Sequence, residues 1–206
     1  MLRDYLSQVG LNISPKKEQD LKLVIDEHLK WNRKINLSAF HDELDVIRYQ
    51  IIDSLTLLQT PLRLDADLLD IGTGPGFPGL PVAIVCPQLS VILVDSNAKK
   101  LAFATHIIGR LGLKNARELP KRISMLRGQQ FSQITARAFA SLSDIMSATE
   151  QLLDPSGTLY AMKSQQIDQE IADSLTQFPT SQVRLIEVEH VVPEKRVIAT
   201  VTGYSQ

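Results

Sequence analysis

The sequence predicts an α/β protein: a doubly wound, largely parallel sheet, finished by an antiparallel C-terminal hairpin and preceded by a helical extension. Three observations predict it. From Asp67 onward, short apolar runs alternate with segments of helical period, the pattern of βαβ units. Leu68, Leu69, Asp70 and Ile71 run into glycines at 72, 74, 76 and 79, and an apolar segment through Leu80, Val82, Ala83, Ile84 and Val85 follows. Strand, glycine turn, helix is how a parallel sheet brings a nucleotide-like ligand against bare backbone. Near the end, Val183–Val192 and Arg196–Thr202 flank Pro193-Glu194-Lys195 as a hairpin.

Residues 1–62 read as the helical extension and 63–206 as the sheet domain. Ser14-Pro15 starts a helix, serine as N-cap and proline in the first turn. Leu21, Val24, Ile25, Leu29 and Ile35 recur at near-helical spacing, and a second helix carries Leu44, Ile47, Ile51, Leu55 and Leu58 on one face. Both stripes pack on each other or on the sheet. In the sheet domain, strands are expected at Leu68–Ile71, Val91–Val94, Ala116–Leu119, up to Arg137 from Ile134, and at Thr158–Met162. Helices are expected at Asn97–Leu111 and Leu142–Leu153.

Composition narrows the classes. A chain of 206 residues with 44% hydrophobic content buries one substantial core. With 22 basic against 23 acidic residues, a nucleic-acid partner must be held by a local patch and not by bulk charge. The single cysteine, Cys86, excludes an internal disulfide and a cysteine-based metal cluster, and its apolar helical setting marks a buried structural thiol. His28, His41, His106 and His190 lack ligand spacing, so no metal is expected. No signal-peptide pattern and no apolar run of membrane length is visible, so a cytoplasmic protein, without membrane attachment and monomeric, is expected.

The glycine cluster has two possible owners. Gly74-Pro75-Gly76-Phe77-Pro78-Gly79 has the spacing of dinucleotide-binding proteins, with Asp95 at ribose-binding distance downstream. Asp70, however, places a carboxylate at the strand's end, awkward beside a pyrophosphate but suited to the ammonium of S-adenosylmethionine. Pro78 and Pro81 remove donors that an anion site would use. An S-adenosylmethionine pocket is the preferred reading, and the antiparallel C-terminal hairpin suits the methyltransferase variant of this fold. A nicotinamide or flavin oxidoreductase and a non-catalytic nucleotide-binding assembly module stand as alternatives.

Each candidate has a bland counterpart. Gly72, Gly74 and Gly76 form either a plain turn or a cofactor cradle, three alternating glycines favouring the cradle. Asp95 is a helix N-cap or a partner of ribose hydroxyls. Phe77 is core or cofactor wall, its place in the loop favouring the wall. Arg137, at a strand end, is a surface ion-pair residue or a fork for the cofactor carboxylate or RNA. Lys99, Lys100, Lys163, Lys195 and Arg196 are individually solvated cations, or together a rim that holds phosphates.

Several segments resemble the RsmG (GidB) family, bacterial guanine-N7 methyltransferases of small-subunit ribosomal RNA. Lys30-Trp31-Asn32-Arg33-Lys34-Ile35-Asn36-Leu37 resembles the family's first long helix, and Asp70 to Gly79 its cofactor loop. Asp95-Ser96 with Lys99-Lys100 is similar to its second strand end. Arg137-Ala138-Phe139-Ala140-Ser141-Leu142 resembles its most distinctive hexapeptide, and Ala161-Met162-Lys163 and Glu194-Lys195-Arg196 are weaker echoes. The resemblance implies a Rossmann-like class I methyltransferase sheet, S-adenosylmethionine as cofactor, small-subunit ribosomal RNA as partner and Arg137 as a catalytic residue. There are departures. Tyr49-Gln50 stands where the family has a basic residue and histidine, and Ser164 where glycine is common after the lysine. Ile123-Ser124 stands where the family has a small residue and glutamate, which leaves backbone groups of Ile123 and Ser124 to read the adenine.

Overall fold

The computed structural model describes residues 1–164 and 167–204. Its centre is a seven-stranded sheet: β1 (Asp67–Ile71), β2 (Ser90–Val94), β3 (Ala116–Leu119), β4 (Phe131–Arg137), β5 (Leu153–Ser164), β6 (Gln182–Glu187) and β7 (Arg196–Thr202). The spatial order is β3-β2-β1-β4-β5-β7-β6, parallel except that β7 runs antiparallel to both β5 and β6. Chain order runs outward from β1 to β3 on one side and from β4 to β5 on the other, where β7 is inserted between β5 and β6. The topological switch point therefore lies between β1 and β4, where open α/β sheets bind ligands beyond the strands' carboxyl ends.

Strict alternation builds a separate apolar cluster on each face. Leu68 of β1 and Val91 and Leu93 of β2 point into one cluster; Leu69, Ile71, Ile92 and Val94 point into the other. Strands buried on both faces read as unbroken apolar runs, which is why β1 and β2 stand out in the sequence. The first face is covered by α5 (Gly79–Val85) and α6 (Ala98–Leu111) and by the N-terminal helices α1 (Leu2–Gln8) and α2 (Pro15–Asn32). Ser14 caps α2 and Pro15 opens it, as expected. The second face is covered by α7 (Leu142–Thr149), α8 (Asp168–Gln177) and a 3₁₀ turn at Ile123–Leu126.

Strand β4 breaks the symmetry. Ile134 and Ala136 join the second cluster, whereas Gln133, Thr135 and Arg137 alternate onto the first face. Each is satisfied there. Gln133 accepts from the Arg63 N–H at 2.7 Å and donates to the carbonyls of Arg63 and Asp67, and Thr135 donates to the Tyr160 carbonyl at 3.1 Å. Buried polar side chains need such partners.

Three expectations change. The second N-terminal helix is interrupted: α3 (Glu43–Asp45) passes into a π-helical segment, Val46–Ile52, then α4 (Asp53–Leu55) and a 3₁₀ turn, Thr56–Gln59. Its stripe of Ile47, Ile51 and Leu55 is buried as expected, but the π segment turns Tyr49, Gln50 and Asp53 toward β4. Helix α7 stops at Thr149, whose hydroxyl pairs with Tyr204 at 2.7 Å, and β5 begins at Leu153. The hairpin is looser than expected. Gln59 holds Glu189 through both backbone groups, at 2.7 and 2.8 Å, and draws residues 188–195 out of the ladder toward the N-terminal helices. Helix α8 was not expected, since its one fully buried residue, Ser174, leaves little apolar signal. Among the described residues, no helix is long and apolar enough to cross a membrane.

Candidate active site

The glycine loop leaves β1 at the switch point. Asp70 alternates onto the first face and lies fully buried beneath the loop. Its Oδ2 accepts from the Thr73 hydroxyl at 2.5 Å and from the Gly79 N–H at 2.8 Å, so it ties strand, loop and helix start together. Its Oδ1 has no partner among the described residues. Burial pushes the carboxyl up to about 7, against the opposing pull of Thr73, the Gly79 N–H and Arg137. Because Asp70 already engages the first N–H of α5, that helix start is not open to a pyrophosphate.

Asp95 stands at the carboxyl end of β2. It accepts from the Gly74 N–H at 2.8 Å and from the Asn97 N–H at 2.6 Å. Asn97, not Asp95, caps α6. Asp95 thus braces the loop, half-exposed, with lone pairs left for a ligand. The four predicted loop positions differ. Gly74 faces open space. Gly72, at φ +64°, is covered by the ring of Phe139, which a Cβ there would overlap. Gly76 faces inward, where an added Cβ would stand 3.2 Å from Ala104 and Leu80, so its bare carbon serves packing. Phe77 is likewise core and not cofactor wall: 2% exposed, it meets His28 edge-on and supports the Arg137 guanidinium at 5.8 Å.

The side chains of Ile123 and Ser124 do not join this group. Ile123 packs against the second cluster, Ser124 is exposed, and both line a cavity of about 280 Å³ with residues from Ser147 to Leu152. The 3₁₀ turn that carries them starts directly after Arg122 and leads back toward the start of β4.

Arg137 ends β4, but its fork turns to the N-terminal extension and not to the crevice. Nη1 donates to the Tyr49 carbonyl at 2.8 Å and to Asp53 Oδ2 at 3.0 Å, and Nη2 donates to Gln50 Oε1. Asp53 is 7% exposed, and its other oxygen accepts from Arg196 Nε at 2.8 Å. Gln50, a departure from the family pattern, thereby supplies an acceptor to the clamp. Tyr49, the other, stacks on Phe40 with ring centroids 4.8 Å apart. These groups, with Thr56, Met162, Lys163 and Glu170, line a cavity of about 520 Å³ beyond the ends of β4 and β5.

The predicted phosphate rim divides accordingly. Lys99 and Lys195 are exposed and Lys100 is half-buried on α6. Lys163 and Arg196 are not solvated rim cations. Lys163 donates to Glu170 and to the Ala140 carbonyl, both at 2.6 Å, and Arg196 is bound by Asp53. Sequence reasoning gave no role to Asp53, Gln50, Glu170 or Phe139. The signal for Asp53 was its charge within the apolar run Ile51, Ile52, Leu55, since a buried carboxylate requires a cationic partner.

A glycine loop at the switch point, with one acidic residue at the end of β1 and another just after β2, is the arrangement of S-adenosylmethionine-dependent methyltransferases. The fold is theirs: a methyltransferase of that class from Aquifex aeolicus superposes with a TM-score of 0.59 at 18% identity, over 78% of this chain and 93% of that one. The chain belongs to the GidB family, rRNA small subunit methyltransferase G, whose model matches residues 17–199. It is 38% identical over 175 residues to the ribosomal RNA small subunit methyltransferase G of Stenotrophomonas maltophilia, covering 84% of this chain and 81% of the relative. To that of Neisseria meningitidis serogroup B it is 34% identical over 197 residues, covering 96% and 95%. Neither the oxidoreductase nor the non-catalytic alternative is supported.

The clamp makes a prediction. Lysine in place of Arg137 keeps one charge but cannot reach three acceptors at once. Arg137→Lys is expected to lose about 2 kcal/mol of stability, the scale of a hydrogen bond to a charged group, and to lower methyl transfer further than stability. A melting temperature equal to wild type would show that the clamp carries no weight.

Proposed function

We propose that the protein transfers a methyl group from S-adenosylmethionine to N7 of a guanine in small-subunit ribosomal RNA. The observation that carries the reading lies at the switch point, where a fully buried carboxylate oxygen of Asp70 lacks a partner among the described residues, beside a glycine loop open at Gly74. An orphaned carboxylate oxygen calls for a donor, and the ammonium of the cofactor is one. Asp70 would hold that ammonium, and Asp95 the ribose hydroxyls. The cofactor supplies an activated methyl group on a sulfonium.

Everything else falls to positioning. Guanine N7 offers an in-plane lone pair and loses no proton, so no general base is required and alignment is the main contribution. The cavity beyond β4 has a volume in the range that takes a small ligand, about 300–1,000 Å³. Arg137 shapes that cavity while its donors are held by Tyr49, Gln50 and Asp53. It is therefore not free to fork onto O6 and N7, a grip that would block the reacting atom. Asp53 and Glu170 temper the cations of the wall, which suits a base that becomes positively charged. In this reading residues 1–62 are an extension that walls the acceptor cavity of the domain at 63–206. One copy of the chain, in the cytoplasm where ribosomes assemble, suffices.

The direct test is methylation of small-subunit particles, followed by chain cleavage at the modified nucleotide after reduction and aniline treatment. Cleavage at one guanine is expected; a methylated ribose or a methylated small molecule would sink the assignment.

Two further outcomes follow from the crevice. In the free protein Asp70 holds its proton up to about pH 7, above its ordinary range, so its contribution to stability declines as pH rises from about 4 to about 7. An ammonium ligand favours the carboxylate, so affinity for S-adenosylhomocysteine should rise with pH up to about 7 and then level off. Calorimetry at several pH values checks this, and Asp70→Asn should flatten the curve. A flat wild-type curve would remove Asp70 from the ammonium.

Phe139 covers Gly72 on the crevice side, so a ligand group lying there must displace the ring. Removing that competition in Phe139→Ala should tighten S-adenosylhomocysteine by roughly fivefold, about 1 kcal/mol of ring burial no longer opposing it. Weaker binding in the variant would make the ring part of the cofactor's wall instead.

A further inference from the structure

The chain carries almost no net charge, yet its charges are segregated. Residues 96–130 hold eight of the 22 basic residues and only one of the 23 acidic ones, Glu118. The fold gathers most of these cations around the free edge of the sheet. Strand β3 is the edge strand, and Arg117 projects from it, exposed. Lys121 and Arg122 follow its carboxyl end, both exposed, whereas Arg127 follows the 3₁₀ turn after them, near the start of β4, and is left out of the patch. Lys99 and Lys100 occupy the first turn of α6, just beyond β2. The two groups are neighbours: Val94 and Leu119 are register partners, and the Asp95 N–H reaches the Leu119 carbonyl at 3.4 Å. Arg110, the one cation at the far end of α6, instead faces Glu27 on α2 and is left out of the patch.

We infer that this edge, formed by Lys99, Lys100, Arg117, Lys121 and Arg122, is the surface that grips the phosphate backbone of the RNA substrate. The inference rests on the reading of the protein as a ribosomal RNA methyltransferase and names the surface that reading lacks. Of the cations read from the sequence as a rim, Lys163 and Arg196 are bound by Glu170 and Asp53, and neither is available to a phosphate. The edge patch faces solvent, and the one large apolar side chain exposed there is Met125, so it fits a polyanion and not an apolar protein face or a membrane. Its position suits the reaction. Three strand spacings of about 4.8 Å, roughly 15 Å, separate β3 from β4. Backbone held at Lys121 and Arg122 is thus on the carboxyl edge of the sheet, within a few nucleotides of the acceptor cavity. Charge on an edge strand also discourages strand pairing between molecules. That role needs Arg117 alone and leaves the cations on both flanks unexplained.

The test measures the salt dependence of binding to a transcript of small-subunit ribosomal RNA and to intact small-subunit particles. At about 100 mM salt, Lys121→Ala/Arg122→Ala should weaken transcript binding about tenfold or more and lower the slope of log affinity against log salt by about two units. Affinity for S-adenosylhomocysteine should not change. Lys16→Ala/Lys22→Ala, which removes the same charge from α2, should leave the slope as it is. Equal loss in both variants, or a wild-type slope in the first, overturns the inference while leaving the methyltransferase reading in place. Loss of particle binding with transcript binding intact also overturns it, and assigns the edge to a ribosomal protein. A wild-type protein that binds cofactor but neither transcript nor particles brings down the substrate reading, and this inference with it.

Discussion

One carboxylate holds the site together. Asp53 lies between the guanidinium groups of Arg137 and Arg196, and through them joins the N-terminal extension to the end of β4 and the start of β7. A charge this deeply buried is tolerated only when paired, and removing one partner of such a pair leaves the other uncompensated. Here the pairing is redundant, two cations on one anion, so Asp53 keeps a cationic partner if either arginine is lost. The π-helical segment is what makes the geometry possible. It turns the Tyr49 carbonyl, the Gln50 side chain and Asp53 to the same guanidinium, and such segments recur at functional sites for this reason.

The polar stripe on β4 extends that logic into the sheet. Gln133, Thr135 and Arg137 occupy one face of a strand whose other face is apolar, and beside them β1 presents Leu68 and Asp70 and β5 presents Tyr160 and Met162. A buried polar stripe is unfavourable unless every group is met. The segment before β1 meets Gln133 and the π segment meets Arg137, so the extension docks in one register and no other. Position, more than stability, is what this network supplies. It fixes the wall of the acceptor cavity relative to the strand end from which the Ala138–Phe139 turn departs. That turn carries its own mark, since Ala138 is the one non-glycine residue with positive φ among the described residues. A left-handed alanine is unfavourable by about 1–2 kcal/mol, and its effect is to lay Phe139 across Gly72.

The sheet and its order were legible because β1 and β2 are apolar on both faces and the glycine loop marks where the first strand ends. Asp70 at the end of β1 and Asp95 after β2 were legible for the same reason. The clamp was not, because each arginine lies more than 80 residues in sequence from the groups it binds and each member has an ordinary local reading: Arg137 as an ion-pair residue, Asp53 as a polar interruption in an amphipathic helix. Helical periodicity also cannot reveal a π segment, since one extra residue shifts which side chains face inward without changing the composition. Phe77 misled in the opposite direction. Gly74 in the same loop faces open space, but the turn sends the Phe77 ring into the core against His28.

The rim residues carry the most instructive error, because sequence proximity to a strand end does not distinguish a free cation from a bound one. Lys163 and Arg196 stand at the expected edge and are held there by carboxylates supplied from α8 and the π-helical boundary, contacts that only the tertiary fold creates. The stretch from Lys99 to Arg127 was visible all along as a run of basic residues with a single acidic one. Net charge near zero concealed it, since an average over 206 residues says nothing about where the charge lies. Segregation is the informative quantity for a polyanion partner, because phosphate contacts are local and counterion release counts each one separately. The protein thus divides its charge: bound pairs where a base must be positioned without being gripped at the reacting edge, and exposed cations where a backbone needs only to be held.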